Sequence, residues 1–270
     1  MDTRRIKGLF KSIAAEKTII GKDVTIEKNV TLGGIDGPAK KVFIGDNVFI
    51  GHDTKILCPE ITILDYTKIH NHMFIHGYKP CYIGYNCWIG QNTILDSNGL
   101  LTIGNNVGIG AYSQLWSHIK YGDVLEGCRF LSEEELRVGN DVWFVGHCIV
   151  SPITAEDKSM ALVGSVIVKD MKYNHIYGGS PAEDLTDKLG PPFREVSLEE
   201  KLAYMNERLR EFYELHPELA RDKIKVTVDD DYEEGVTMFN VSNRTYTKRR
   251  SREEIEFMKF LLPNAKFIPG

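Results

Sequence analysis

Ile103-Gly104-Asn105-Asn106-Val107-Gly108-Ile109-Gly110 contains one six-residue phrase: an aliphatic residue, a glycine, two polar residues, a small or branched residue and one variable position, after which the aliphatic residue returns. The phrase recurs from Ile44, from Ile83 and, in altered form, from Val138. A hexad of this kind is typical of a β-helix, in which each repeat supplies one short strand and its turn. The sequence therefore predicts a mainly β fold built as a solenoid.

The aliphatic residue returns at nearly constant spacing through most of the first 115 residues. It occurs at Ile20, Ile26 and Leu32, and after a glycine-rich loop at Ile44, Ile50, Ile56, Ile63, Ile69, Ile75, Ile83, Ile89, Leu95, Ile103, Ile109 and Leu115. Three hexads form one triangular coil with an aliphatic residue pointing inward from each side. One coil cannot bury its apolar side alone, so the coils must stack on one another.

A long interruption at residues 116–137 breaks this register before it resumes at Val138. The segment combines aromatic residues with charges of both signs and includes Ser117, His118 and Tyr121. Insertions of this length in a tight solenoid are either functional or disordered. Its composition favours a functional loop.

Two flanking segments depart from the hexad period. Residues 1–18 place Ile6, Leu9, Phe10 and Ile13 at helical spacing between basic residues. This pattern predicts an N-terminal helix that caps the open end of the solenoid, and a helix on a membrane surface is the alternative. Residues 191–270 contain a helical stripe, β-like stretches and a final helical segment, which predicts a small C-terminal α/β appendage to a β-helix domain at 19–190.

Composition excludes several classes of protein. A net charge of −5 and a pI near 5.9 argue against a non-specific nucleic-acid binder. The five cysteines are scattered and form no CxxC pair, which argues against a disulfide or zinc framework and favours a reducing compartment. No apolar run approaches the roughly 20 residues of a membrane-spanning helix. We therefore expect a cytoplasmic protein with no membrane span.

The order of motifs after Ile83 points to one family. Ser117-His118 precedes the loop, Val138-Gly139-Asn140-Asp141-Val142-Trp143-Phe144 follows it, and the chain continues through Ser151-Pro152, Val163-Gly164-Ser165-Val166-Ile167-Val168-Lys169-Asp170 and Gly179-Ser180-Pro181-Ala182. This set resembles the hexapeptide-repeat acyltransferases, most closely the galactoside, maltose and xenobiotic O-acetyltransferases. The resemblance implies a left-handed parallel β-helix that transfers an acetyl group from acetyl-CoA to a sugar or nucleotide-linked sugar. It also implies a homotrimer with its active site between subunits.

The same resemblance implies two catalytic residues. His118 matches the histidine that removes a proton from the acceptor, a task for which an imidazole titrating near neutral pH is suited. Asn92 matches an asparagine that faces the site, where its amide would hold the acceptor or the oxyanion. Asparagine is also common at solenoid turns because it tolerates left-handed backbone, so a purely structural role stays open for Asn92.

A donor site is implied by five further matches. Trp143 corresponds to the tryptophan along the pantetheine arm of coenzyme A. Gly146, Gly164 and Ser165 correspond to positions of close backbone approach, and Lys169 to a lysine near the adenosine end. The family places basic residues after its GxPA motif, whereas this chain has Glu183-Asp184. Other lysines, such as Lys169, Lys172 or Lys188, would have to contact the phosphates.

A metal-binding solenoid is the alternative function. His70, His72 and His76 lie close in sequence, and β-helix carbonic anhydrases bind zinc through three histidines. Those ligands come from adjacent coils, and the next coil here offers no histidine pair. We therefore expect no metal. The sequence does not distinguish O- from N-acetylation, and it assigns no role to residues 191–270.

Overall fold

The computed structural model describes residues 11–132 and 134–270. The chain divides into two compact units, residues 1–193 and 194–270. The division falls three residues after the predicted boundary at 190. Each unit has its own sheet structure and is described separately.

The first unit is a parallel β-helix with three faces, each a ladder of short strands. The first face contains Lys11–Ile13, Val30–Gly33, Lys55–Leu57, Phe74–His76, Ile94–Asp96, Gln114–Leu115, Ile149–Val150 and Val166–Ile167. The second contains Ala15–Ile20, Ala39–Ile44, Glu60–Ile63, Cys81–Ile83, Leu101–Ile103, Leu136–Val138 and Thr154–Ala155. The third contains Thr25–Ile26, Phe49–Ile50, Lys68–Ile69, Trp88–Ile89, Gly108–Ile109, Trp143–Phe144, Met160–Ala161, Ile176–Gly179 and Ala182–Asp184. The last pair is antiparallel, and helix α1, Thr186–Leu189, follows it.

The hexad aliphatic residues form the core, as the sequence predicts, except Ile20, which is 41% exposed. On the second face, Ile83 pairs in register with Ile103, and Ile103 with Val138. All three side chains are buried. Burying one such side chain stabilises a fold by about 1.5–3 kcal/mol, and the ladder repeats this contribution at every coil. The interruption at 116–137 leaves the stack intact, because Val138 returns to the place that the next coil requires.

The corner between the third and first faces, here called the third-to-first corner, turns through left-handed backbone. In six coils a non-glycine residue at this corner has a φ between 52° and 60°. These residues are Asn29, Asp53, His72, Asn92, Tyr112 and His147. Asparagine and aspartate tolerate this conformation better than most residues do. Asn92 therefore has a structural reason to be an asparagine.

The predicted N-terminal cap helix is wrong for the part of it that the structure describes. Residues 11–18 form strand Lys11–Ile13 and most of strand Ala15–Ile20, and residues 1–10 lie outside the described residues. Ile13 pairs in register with Leu32 and packs against the core. Ile13 therefore belongs to the hexad register rather than to a helical stripe, and the solenoid begins before residue 19.

The second unit contains a four-stranded mixed sheet in the order Ile224–Thr227, Thr237–Asn240, Thr245–Tyr246 and Ile268–Pro269. Helix α2 spans Leu198–Leu215 and helix α3 spans Arg252–Leu261. A capping box begins α2: Ser197 accepts from the Glu200 backbone, and the Glu200 side chain accepts from Ser197. No helix among the described residues is long and apolar enough to cross a membrane.

Candidate active site

His118 lies where the first face ends and the chain leaves the solenoid, at the corner between the first and second faces. Its Nδ1 is 2.8 Å from Oδ1 of Asp96, which ends the first-face strand of the preceding coil. The Asp96 side chain is fully buried, whereas a quarter of the His118 side chain is exposed. Nε2 makes no hydrogen bond with residues 11–132 or 134–270. The pair thus presents one free ring nitrogen to solvent and anchors the other on a carboxylate.

Asp96 accepts hydrogen bonds from three residues. Besides Nδ1 of His118, Oδ1 accepts from the Ser117 hydroxyl at 2.6 Å and from the Ser117 backbone at 3.2 Å. Oδ2 accepts from the Asn98 amide nitrogen at 2.8 Å. With Asp96 accepting from Nδ1–H, the lone pair of His118 is placed on Nε2. This is the tautomer that a general base requires.

Gly99 fixes the backbone below the histidine. Its N–H donates to the Ser117 hydroxyl at 2.9 Å. A Cβ at residue 99 would lie 2.2 Å from the carbonyl oxygen of Glu134 and 2.4 Å from that of Ser117. Only glycine permits this approach, which brings the two ends of the interruption to the same corner.

Asn98 and Trp116 complete the surroundings of the imidazole. The amide nitrogen of Asn98 lies 3.3 Å from Nδ1 of His118, and the ring centroid of Trp116 lies 6.4 Å from that of His118. The side-chain oxygen of Asn98 is buried and has no hydrogen-bond partner among the described residues. A buried acceptor without a partner is costly, so a ligand donor at this point would be favoured.

Asp96 and Asn98 were not predicted as site residues. The available signal is the coil period, because Ile83 pairs with Ile103 twenty positions later. Counting back twenty positions from His118 gives Asn98. Asp96, two positions earlier, is the last residue of the strand that precedes Asn98. An aspartate beside an apolar hexad is usually solvated, so its sequence alone gives no sign of burial.

The structure does not bring Asn92 to His118 within one chain. Asn92 lies at the third-to-first corner, with its backbone N–H donating to Asn71. The first-face strand separates it from Asp96, and four extended residues span about 13 Å. Asn98 is the asparagine that contacts the histidine. The catalytic role of Asn92 stays a prediction.

Three of the five predicted donor-site residues lie close together. Trp143 is on the third face, half exposed, and covers Gly108, where an added Cβ would meet the indole at 3.0 Å. Gly146 and Gly164 stack at the third-to-first corner, and the Gly164 N–H donates to Gly146 at 2.9 Å. Both glycines have positive φ, 146° and 73°. Gly146 is buried and Gly164 is exposed, so the bare backbone at this corner is that of Gly164.

The other two predicted donor-site residues differ from this group. Ser165 is fully buried and its hydroxyl donates to the Leu162 carbonyl at 2.6 Å, so its predicted contact with the donor stays a prediction. Lys169 is exposed and follows the first-face strand Val166–Ile167, across that face from Gly164. Within one chain, the whole first face also separates Trp143 from His118.

The cysteines offer no accessible nucleophile in the core. Cys58, Cys81, Cys87 and Cys148 are all buried. Burial raises the pKa of the Cys87 thiol to about 12 and raises that of Cys148. A hydrogen bond with Cys58, together with burial, raises the pKa of Cys81. Because the thiolate is the nucleophile, Cys81, Cys87 and Cys148 are inert at neutral pH. A hydrogen bond with Cys81 lowers the pKa of Cys58, but the Cys58 thiol is buried.

The three histidines of the alternative metal site do not converge. His70 contacts Phe49 and Trp88 beside the third face, and burial and the charge of Lys68 lower its pKa. His76 stacks on Phe74 on the first face. His72 lies at the third-to-first corner between them. The chain turns a corner of the triangular coil between His70 and His76. Side chains that are close in sequence therefore do not share one metal-binding centre here.

A polar groove of about 600 Å³ runs along the second face. Its floor is made by outward residues in register, Thr102 beside Arg137 and Arg137 beside Thr154. Tyr82 and Tyr173 also line it. Glu135 accepts from the Thr102 hydroxyl at 2.9 Å, which ties the end of the interruption to this face. The groove therefore lies on the face that directly follows the corner of His118.

The described residues of the interruption form a loop with an apolar exterior. Ile119 and Ser132 exchange two backbone hydrogen bonds of 2.8 Å, which close its base. Three side chains between them are almost fully exposed: Tyr121, Leu125 at 94% and Phe130 at 81%. Apolar groups exposed together in this way are typical of an interaction surface.

The three-faced ladder and its hexad core define a left-handed parallel β-helix, the fold of the hexapeptide-repeat acyltransferases. Among solved structures, the chain is similar to the polysialic-acid-specific acetyltransferase NeuO at 16% identity, with a TM-score of 0.51 over 77% of this chain and 96% of that one. This likeness confirms the predicted fold. No protein-family model and no curated protein sequence matches the chain.

Two further structures are similar with lower TM-scores. One is a hexapeptide-repeat acetyltransferase from Vibrio cholerae complexed with acetyl coenzyme A, at 20% identity and a TM-score of 0.38, covering 50% of this chain and 68% of that one. The other is LpxA from Acinetobacter baumannii, at 15% identity and a TM-score of 0.44, covering 79% and 78%.

Proposed function

We propose that this protein is an acetyltransferase that moves an acetyl group from acetyl-CoA to a hydroxyl or amine of a saccharide. The observation that carries the proposal is the 2.8 Å contact between Nδ1 of His118 and the buried Asp96 carboxylate. A carboxylate that holds an imidazole with its second nitrogen free is the arrangement of a general base. NeuO has the same fold and is a polysialic-acid-specific acetyltransferase, which supports a saccharide acceptor.

In this mechanism Nε2 of His118 takes the proton of the acceptor hydroxyl or amine. The acceptor oxygen or nitrogen then attacks the thioester carbonyl and forms a tetrahedral intermediate. Its collapse breaks the C–S bond, and the departing CoA sulfur takes the proton back from the imidazolium. Asp96 stabilises the imidazolium and keeps Nδ1 protonated throughout.

Direct attack is favoured over an acyl-enzyme. The four core thiols are buried, and the pKa of three of them is raised. Cys128 is the remaining cysteine and lies in the loop. We assign no covalent step to it.

Asn98 is the residue we propose to hold the acceptor. Its amide nitrogen is engaged by Asp96, and its buried side-chain oxygen has no partner among the described residues. A second hydroxyl of the acceptor that donated to this oxygen would place the reacting hydroxyl or amine beside the imidazole. This geometry would orient the reacting group for loss of its own proton to Nε2.

The donor site is proposed along the third face and its corner with the first. The half-exposed indole of Trp143 and the exposed backbone of Gly164, which stacks on the buried Gly146, would accept the pantetheine arm. Lys169 is an exposed cation that would serve the phosphates. The Asp184 carboxylate would repel these phosphates less than an unpaired carboxylate, because Nδ1 of His175 lies 2.7 Å from its Oδ2.

We propose that the active unit is a homotrimer with the site between subunits. The first face separates Trp143 from His118 in one chain, so a compact site that uses both would draw them from different chains. The apolar loop of Tyr121, Leu125 and Phe130 would then be covered by the neighbouring copy. An interface between two different surfaces of the same chain generates a closed ring when its rotation closes, and a trimer is such a ring.

The experiment that tests this proposal is a thiol-release assay with acetyl-CoA and a panel of acceptors. The panel contains free sugars, an oligosaccharide of sialic acid and nucleotide-linked amino sugars. The proposal predicts CoA release that depends on at least one of these saccharides and a product heavier by one acetyl group. No acceptor-dependent release from any saccharide, together with no binding of acetyl-CoA, would contradict it.

A further inference from the structure

The third-to-first corner carries a cluster of two imidazoles and one carboxylate, distant from His118. Nδ1 of His52 lies 2.6 Å from Oδ2 of Asp53, and Nδ1 of His72 lies 3.9 Å from the same oxygen. The two imidazole rings meet edge to face with centroids 4.9 Å apart. One ligand atom from each residue can be chosen so that all three lie within 4.8 Å of one another. Residues from two successive coils therefore converge on one point.

The spacing of these atoms suits a small divalent ion. Zinc binds imidazole nitrogen and carboxylate oxygen at about 2.0–2.2 Å, so tetrahedral donors lie about 3.3 Å apart. The observed separations of 2.6 and 3.9 Å lie on either side of that value. All three side chains are partly exposed, so small rotations would equalise these distances.

The backbone holds the cluster in place. The N–H of His72 donates to the carbonyl of His52 at 2.9 Å, which joins the two coils directly at the cluster. Asn29 donates to Oδ1 of Asp53 at 2.8 Å and leaves Oδ2 directed at the imidazoles. Outer hydrogen bonds of this kind orient metal ligands and strengthen binding.

We propose that His52, Asp53 and His72 form a binding site for a divalent transition-metal ion of the zinc class, with water in its remaining positions. Two imidazoles select zinc, cobalt, nickel or copper over calcium and magnesium, which prefer oxygen donors. The site differs from the acyl-transfer site and from the His70, His72 and His76 set, of which only His72 takes part. Its action is to tie two coils of the solenoid together, because an ion that binds only the folded chain stabilises it.

Another histidine at the same corner provides a matched control. His147 has the same left-handed backbone as His72, with φ of 52° against 58°. Its ring stacks on Tyr112, with centroids 5.1 Å apart, and the described residues place no carboxylate beside it. His147→Asn therefore makes the same chemical change as His72→Asn without touching the cluster, and asparagine suits the backbone of both positions.

The test is titration of the full-length, chelator-treated protein with Zn²⁺ by calorimetry and with Co²⁺ by visible absorption. The proposal predicts one ion bound per chain and a melting temperature that rises with Zn²⁺. His72→Asn, Asp53→Asn and His52→Ala each lower the affinity at least about 10-fold. His147→Asn binds as the wild type does.

Two results would overturn the proposal. One is the absence of Zn²⁺ and Co²⁺ binding by the wild-type protein. The other is binding that stays unchanged in both His52→Ala and His72→Asn, which would place the ion elsewhere. Circular dichroism of each metal-free variant separates loss of the site from loss of the fold, and neither result bears on acetyl transfer.

Discussion

Asp96 and His118 are separated by 22 residues of sequence, yet a hydrogen bond of 2.8 Å joins them across two adjacent coils. The solenoid makes this contact possible because its coils stack at a fixed period and bring strand ends together at each corner. The Asp96 carboxylate is fully buried, and its hydrogen bond to Nδ1 anchors one edge of the imidazole. The predictions below begin from this pair.

Asp96→Asn is expected to lower kcat by about 100-fold or more, because the amide no longer fixes the tautomer with a free Nε2. The KM for acetyl-CoA should change little, since Asp96 does not face the proposed donor surface. Asp46→Asn is the matched control, as Asp46 is also buried and accepts from the Lys22 backbone at 2.7 Å. Equal kcat values for the two variants would show that Asp96 has only a structural role.

Asn98 and Asn92 can be separated by paired substitutions. Asn98→Ala removes the buried oxygen beside His118 and is expected to raise the KM for the acceptor and lower kcat. Asn92→Gly keeps the left-handed turn and is expected to leave both values near those of the wild type. Steady-state kinetics at varied acceptor concentration checks this. A larger loss in Asn92→Gly than in Asn98→Ala would return the acceptor role to Asn92.

The exposed loop is expected to determine the oligomeric state. Phe130→Glu should convert a trimer into smaller species, because a charge would be buried against the neighbouring copy. Leu215→Glu is the control, since Leu215 is 67% exposed at the end of α2 and has no proposed contact. Light scattering coupled to size-exclusion chromatography measures the mass. A wild-type monomer, or a trimer in Phe130→Glu, would argue against the intersubunit site.

Glu254 is expected to make the second unit less stable as pH rises. Burial raises its pKa, although backbone donors from Arg249 and Arg250 and the Thr237 hydroxyl oppose the shift. A raised folded pKa means that the folded state binds the proton more tightly. This stabilisation is full below the ordinary glutamate value of about 4.3 and is lost as pH rises through the folded value.

Glu254→Gln removes this titration. The free energy of unfolding of the variant relative to the wild type should therefore increase with pH above about 4.3 and then level off. Urea unfolding followed by the signal of the second unit, at several pH values, measures the difference. A difference that stays constant with pH would show that Glu254 has an ordinary pKa.

The sequence predicts the solenoid because its hexads are local and each aliphatic residue has the same role. Ile83, Ile103 and Val138 could be assigned to the core without knowledge of any contact. The cap helix was wrong because Ile13 fits both a helical stripe and the hexad register, and only pairing with Leu32 decides between them. Local spacing cannot make that choice.

The site was predicted only in part, because its contacts are between coils. His118 could be found from its place before the interruption. The coil period leads from His118 to Asn98, but nothing in the sequence shows that Asp96 is buried and bound to the histidine. Asn92 was inferred from the family resemblance, whereas the structure places the amide nitrogen of Asn98 3.3 Å from Nδ1 of His118.

The most direct test of the account is the kcat for acetyl transfer by His118→Ala, compared with the wild type on the best acceptor of the panel. The account predicts a fall of about 10²–10⁴-fold, with an unchanged circular dichroism spectrum and retained acetyl-CoA binding. A folded His118→Ala variant with the full kcat of the wild type would contradict it.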